Sequence, residues 1–369
     1  MSLKVLLYLQ LHQPQRINRL NLFDFKNDVV KEKLGKRYFN KNLNEEIFNR
    51  VLKKSYFPFL KKLTELEIAF NLGVSGVLLE QFTLKQIDLI KSVLPLPNVD
   101  FFRETSHHSL ASLYDLDEFR DQIKEHTRLI HQHFGKQPLS FRNTELITFK
   151  GLQNHVLQKD YILSEEVAGK QPAYLLKRNN QLSDAIGFKL ESTANNIDQY
   201  VGDILKEEQE IIVLGVDFET FGEHYDIELS TTFIESFVRE FKKRGGEFVG
   251  LSDLPTLTLQ DFDKELNLEE IKSWADKDKD DSAWRGNEMQ CSSLTRLYNL
   301  REAVLSTQSK DVLDVWRKLQ TSDHFYYMSN KKDDDGSVHE YFSPFNTPHD
   351  AFVYYSNILT DFELNLASY

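Results

Sequence analysis

A single cysteine, Cys291, excludes an internal disulfide, and the chain contains no Asn-x-Ser/Thr acceptor. Both omissions point away from a secretory route, so the cytoplasm is the expected compartment. Basic runs are missing too. With a formal net charge of −12 and no Lys/Arg cluster, the chain cannot recover phosphate electrostatics, which excludes nucleic acid and an anionic membrane as expected partners. No apolar run approaches the roughly 20 residues of a transmembrane helix. The run Val5–Leu11 starts too close to Met1 and lacks a small-residue cleavage site, so it reads as a first strand rather than a signal-peptide core. Internal repeats and low-complexity tracts are absent.

What is present suits a large α/β domain with a smaller appendage. Hydrophobic (40%) and charged (28%) shares are ordinary for a globular protein, and only the 27 Phe and 15 Tyr stand out. Most of these belong to the core, although such a surplus also suits a sugar or nucleobase site. Short apolar runs at 5–11, 68–72, 99–102, 140–142, 161–163, 211–216 and 248–251 read as strands, and stretches such as 119–134 and 233–243 carry helical periodicity between them. Alternation of this kind predicts a parallel sheet, open or closed into a barrel, with helices outside it. His12, Arg103, Glu145 and Asp217 each follow a strand, at the edge that carries the active site in a barrel. Strand signals stop beyond Asp261, and 294–319 and 351–366 are helical in pattern. The expected division is a barrel over 1–256 and a helical subdomain over 257–369.

The richest stretch is Val216-Asp217-Phe218-Glu219-Thr220-Phe221-Gly222-Glu223-His224, which leaves the apolar run 211–214. If the strand continues, Asp217 and Glu219 share a face and raise each other's pKa. A second exit, Phe141-Arg142-Asn143-Thr144-Glu145-Leu146, offers another carboxylate. Other signals read as structural. Gly73-Val74-Ser75-Gly76-Val77 lacks the last glycine of a nucleophile elbow. His107, His108, His126, His131 and His133 show no ligand spacing and read as surface histidines. Asp276–Asp281 fits no EF-hand frame and reads as a solvated loop, and Lys331–Gly336 as a surface turn.

His12-Gln13-Pro14, Gly73–Gly76 with Glu80-Gln81, Phe141–Leu146 and Asp217–His224, followed by a segment from Trp274 through Trp284 to Asp323-His324-Phe325-Tyr326-Tyr327, together resemble glycoside hydrolase family 57, most closely its α-amylase-type members. The resemblance implies an incomplete, TIM-like (β/α)7 barrel packed on a C-terminal helical bundle, and a retaining mechanism on α-1,4-glucans or malto-oligosaccharides without metal or other cofactor. It also implies Glu145 as nucleophile and Asp217 as general acid/base. His12, Gln13, Glu80, Glu219 and His224, with Trp284, Asp323 and Tyr326, fall where the family binds sugar. A 4-α-glucanotransferase with the same acids, or a non-catalytic glucan-binding homologue, remains an alternative. Arg142 is a candidate to keep Glu145 ionised, but its odd offset on an extended strand would send the two side chains to opposite faces.

Overall fold

The computed structural model describes residues 3–25, 34–94, 96–157, 160–165, 167, 169–266, 268–331 and 343–366. The turn expected at Lys331–Gly336 lies outside these residues beyond Lys331. Among the described residues eight strands form, β1 (Lys4–Leu11), β2 (Phe70–Val74), β3 (Val99–Arg103), β4 (Ser140–Arg142), β5 (Ile162–Ser164), β6 (Leu175–Lys177), β7 (Ile211–Asp217) and β8 (Glu247–Phe248). They pair in parallel in the order β6-β5-β4-β3-β2-β1-β7. A bridge between Arg178 and Val213, with the Asn179 amide donating to the Val213 carbonyl at 2.9 Å, links the ends into a nearly closed seven-strand barrel.

The number of barrel strands matches the expectation, but one member differs. β6 is three residues long, and its short apolar run Ala173–Leu176 is not among the expected strands. The expected strand 248–251 survives only as β8, which pairs with Lys4 and Val5 at the start of β1. It stops there because Asp100 captures the Ser252 amide and hydroxyl at 2.8 and 2.7 Å, turning the chain away.

Side-chain parity sorts the strands into two faces. Val5, Leu7, Leu9 and Leu11 of β1 and Ile212, Leu214 and Val216 of β7 pack outward against helices that include Phe57–Glu65, Asn180–Asn195 and Ile227–Lys243. Leu6, Tyr8 and Val213 point inward, with Phe102, Leu163 and Leu176. Both faces are buried, which explains why the parallel strands read as continuous apolar runs. The helix Leu116–Phe134 begins where Asp115 accepts from the amides of Asp117 and Glu118, and ends at the left-handed Gly135.

The expected helical run 294–319 is three helices, Glu288–Tyr298, Arg301–Ser306 and Lys310–Leu319, and Pro348–Leu366 packs beside them. Trp316 and Tyr355 centre this second core. The Trp316 indole donates to the Leu297 carbonyl at 2.9 Å and the Tyr355 hydroxyl to that of Leu319 at 2.7 Å, so each buried ring keeps its polar atom satisfied. Among the described residues no helix is long and apolar enough to cross a membrane.

Candidate active site

At the end of β7, parity turns Asp217 inward, opposite Gln10 of β1. The chain then enters a single 3-10 turn, Phe218–Thr220. Glu219 therefore does not continue the strand, and it parts company with Asp217. Asp217 stays open to the cleft, while Glu219 is buried and accepts from Gln13 Nε2 at 3.1 Å and from the Tyr56 hydroxyl.

A π-helical turn, Leu52–Tyr56, delivers that tyrosine. It sits between the helices Lys41–Val51 and Phe57–Glu65. Pro58 has no N–H for the Lys54 carbonyl, and the Phe57 amide reaches back five residues to Leu52. Gly222 then packs on this turn with φ +103, where a Cβ would lie 2.1 Å from the Lys54 carbonyl oxygen. Gly222→Ala is expected to cost about 1–3 kcal/mol, from the left-handed backbone together with the clash. Urea denaturation would read the loss, and an unchanged midpoint would contradict this packing.

The β4 exit is built differently. Arg142 points into the barrel and is fully buried, and Glu145 then adopts φ 55, ψ 27 with Leu146 also at positive φ. A non-glycine residue in that region costs on the order of 1–3 kcal/mol and persists only when its surroundings fix it. Here they do. The Glu145 carbonyl accepts from Ser273 Oγ at 2.8 Å and from the Trp274 amide at 3.3 Å. Asn143 Nδ2 donates to the Ile147 carbonyl at 2.8 Å, and the hydroxyls of Thr144 and Thr105 lie 2.8 Å apart. The left-handed turn removes the strand parity that argued against Arg142, which nevertheless pairs with Glu104, at 2.9 Å, rather than with Glu145.

Both carboxylate oxygens of Glu145 are engaged. Oε1 lies 3.0 Å from His108 Nε2 and 3.5 Å from Ser322 Oγ, and Oε2 accepts from the Trp274 indole at 2.7 Å. His108 was expected on the surface and is instead buried at the centre of the site, its Nδ1 3.3 Å from the fully buried Glu104. His107 and His126 are buried as well, and His126 Nε2 meets the Val74 carbonyl at 2.9 Å. Sequence reasoning missed His108, Glu104 and Trp274. The available signal was position alone: Glu104 and His108 follow β3 as Glu145 follows β4.

The remaining expected residues divide. His12 joins the centre: its ring stacks on that of His108 with centroids 3.9 Å apart, its Nε2 lies 2.8 Å from Asp323, and its Nδ1 lies 2.7 Å from Ser75 Oγ. Gln13 reaches Glu219, as above. His224 is exposed just beyond, its amide on the Glu219 carbonyl at 3.0 Å. Glu80 turns instead to Lys318 at 2.9 Å, with His107 at 3.7 Å. Trp284 departs from its expected role in sugar binding, because it is buried in the C-terminal core, 6.1 Å from the half-buried Tyr326 ring. Among the described residues, Glu80, His107 and Asp314 are the one group of ligand-type side chains close enough to share a cation. The Lys318 ammonium takes that position, 2.9 Å from Glu80 and 2.8 Å from Asp314.

Electrostatics separate the carboxyls. Burial, then the charge of Glu145, raises Asp217 to about 7, even though its own surface opens to the cleft floor. Burial and the neighbouring Asp217 raise Glu219 to about 8, against the hydrogen bonds from Tyr56 and Gln13. Burial also works against ionisation of Glu145, yet the hydrogen bond and charge of His108, with Arg142 and Trp274, overcome it and lower its pKa. One carboxyl is held ionised and the other protonated near neutral pH, the division that acid/base chemistry requires.

The sequence profile of Glycosyl hydrolase family 57 matches residues 6–162 and 153–271. The chain belongs to this family. Family 57 membership makes it a glycoside hydrolase. It is 34% identical over 401 aligned residues, 96% of this chain and 83% of the relative, to a Methanocaldococcus jannaschii protein named "Putative alpha-amylase". Two family 57-like folds superpose over most of the barrel and helices. A branching enzyme from Thermococcus kodakaraensis, solved with glucose, gives a TM-score of 0.65 at 15% identity, covering 92% of this chain and 87% of its own. The alpha-amylase AmyC of Thermotoga maritima gives 0.60 at 13% identity, covering 100% and 94%.

Proposed function

We propose that this family 57 enzyme cleaves α-1,4-glucans with retention of configuration, Glu145 acting as nucleophile and Asp217 as general acid/base. The observation that supports this reading best is the opposite treatment of the two cleft carboxyls, Glu145 kept ionised by His108 and Trp274 and Asp217 kept protonated by burial beside Glu145. Glu145 attacks the anomeric carbon as Asp217 gives its proton to the leaving oxygen, and Asp217, now a carboxylate, later takes a proton from the incoming water. In this reading His12 and Asp323, joined at 2.8 Å beside this pair, hold the sugar at the cleavage point. The relatives support the substrate class, since they include two proteins named as alpha-amylases and one branching enzyme.

Transfer to another sugar would use the same two acids, with a sugar hydroxyl in place of water. Incubation with maltoheptaose separates these outcomes. The expected result is shorter sugars with new reducing ends, whose anomeric configuration by proton NMR is initially α. A redistributed ladder at constant reducing-end count would replace hydrolysis by transfer, and an initial β product would exclude retention.

A further inference from the structure

We propose that His108 is a permanently charged positioning residue, an imidazolium that bridges Glu104 and Glu145 and keeps Glu145 ionised and aimed through both steps of the reaction. The inference rests on the reading of Glu145 as nucleophile. It starts from hydrogen-bond capacity. His108 has a carboxylate oxygen on each ring nitrogen, Glu104 Oε2 at 3.3 Å from Nδ1 and Glu145 Oε1 at 3.0 Å from Nε2. A neutral imidazole has one N–H, so only the imidazolium donates to both acceptors.

The surroundings favour that state. Glu104 follows β3, has no exposed surface, and is itself held as a carboxylate by Arg142 Nη1 at 2.9 Å and by Gln10 Nε2 at 3.3 Å. The charged and titratable groups facing His108 are Glu104, Glu145 and, farther off, Asp323 and Asp217 on the acidic side. Arg142, 3.4 Å from Nδ1, and the stacked His12 ring oppose them. His126 contacts the same Glu104 at 3.8 Å. Burial and then His108 disfavour charge on His12 and lower its pKa, against the pull of Asp323. Burial alone would lower His108 too, but its hydrogen bonds to Glu104 and Glu145 raise it to about 9.

Charge is conserved around this cation as the chemistry proceeds. Before attack, Glu104 and Glu145 are negative, His108 and Arg142 positive and Asp217 neutral, so these five groups sum to zero. On attack, a Glu145 oxygen bonds to the anomeric carbon, the bond to the leaving oxygen breaks, and that oxygen takes the Asp217 proton. Glu145 becomes a neutral ester and Asp217 a carboxylate, and the sum is again zero. The His108 charge thus supports Glu145 in the free enzyme and Asp217 in the intermediate, without its proton moving.

Two conservative variants separate this role from a structural one. His108→Gln is expected to lower kcat/KM on maltoheptaose by ~10²–10³-fold, as for loss of a preorganised donor, and to move the acid limb of the pH profile upward by about one unit or more. Glu104→Gln should instead move the alkaline limb downward, because His108 then deprotonates near neutrality. Imidazole ¹⁵N NMR on histidine-labelled wild-type enzyme should show both His108 nitrogens protonated at pH 8. A neutral His108 at that pH, or a His108→Gln acid limb unchanged from wild type, would overturn the inference. If His108→Gln fails to fold, Glu104→Gln and the NMR spectrum still decide it. Loss of hydrolysis in wild type would overturn the reading of Glu145 while leaving the NMR result intact.

Discussion

Glu145→Ala should lower kcat on maltoheptaose by on the order of 10⁴-fold or more, because in the proposed reading it removes the carboxylate that forms the glycosyl ester. Glu219 is buried and turned to Tyr56 and Gln13. Asp217, raised to about 7, is assigned in the proposed reading to protonating the leaving oxygen. Alanine accepts the left-handed backbone no worse than glutamate does, but it abandons the donors of His108 and Trp274. Glu145→Gln keeps the shape while removing the charge, and should be nearly as inactive. Wild-type turnover in either variant would sink the nucleophile assignment.

Asp217→Ala should reduce turnover by ~10²–10⁴-fold, the range for loss of a positioned general acid. The deficit should shrink with a substrate whose leaving group needs no proton, such as a maltosyl fluoride, because Glu145 remains competent to attack it. Added azide should then release the trapped glycosyl group as an α-glycosyl azide, since a small anion replaces the water that Asp217 would have activated. A β-azide, or equal losses on fluoride and maltoheptaose, would count against Asp217 as acid/base. The pH profile of the wild type follows from the same groups. Activity needs Asp217 protonated, so it should fall as pH rises through about 7. It also needs Glu145 ionised, so it should fall again in acid, below the ordinary carboxylate range, to which His108 and Arg142 drive that group. Asp217 and Glu219 lie in one field, and the alkaline limb belongs to the pair rather than to either residue.

Much of the barrel was legible because a parallel strand buried on both faces leaves an uninterrupted apolar run, as β1 and β7 do. β6 offers a run of the same kind, Ala173–Leu176, as short as those of β4 and β5, and the expectation omitted it. The candidate acids were legible for a related reason: Glu145 and Asp217 each interrupt the apolar pattern at a strand exit. His108 was not legible. An adjacent His107-His108 pair reads as surface when nothing in sequence partners it, and its partners Glu104 and Glu145 meet it only when the ends of β3 and β4 lie side by side.

The sequence alone therefore determined the alternating fold, the family resemblance and the two carboxyls, since each depends on local pattern or on motif order along the chain. Tertiary structure decided which acid is ionised, that Glu219 leaves the strand for Tyr56, and that Trp274 and Asp323 reach into the cleft from beyond the barrel strands. Those outcomes depend on burial and on charges separated by tens to hundreds of residues, and only the folded barrel brings them within hydrogen-bond distance.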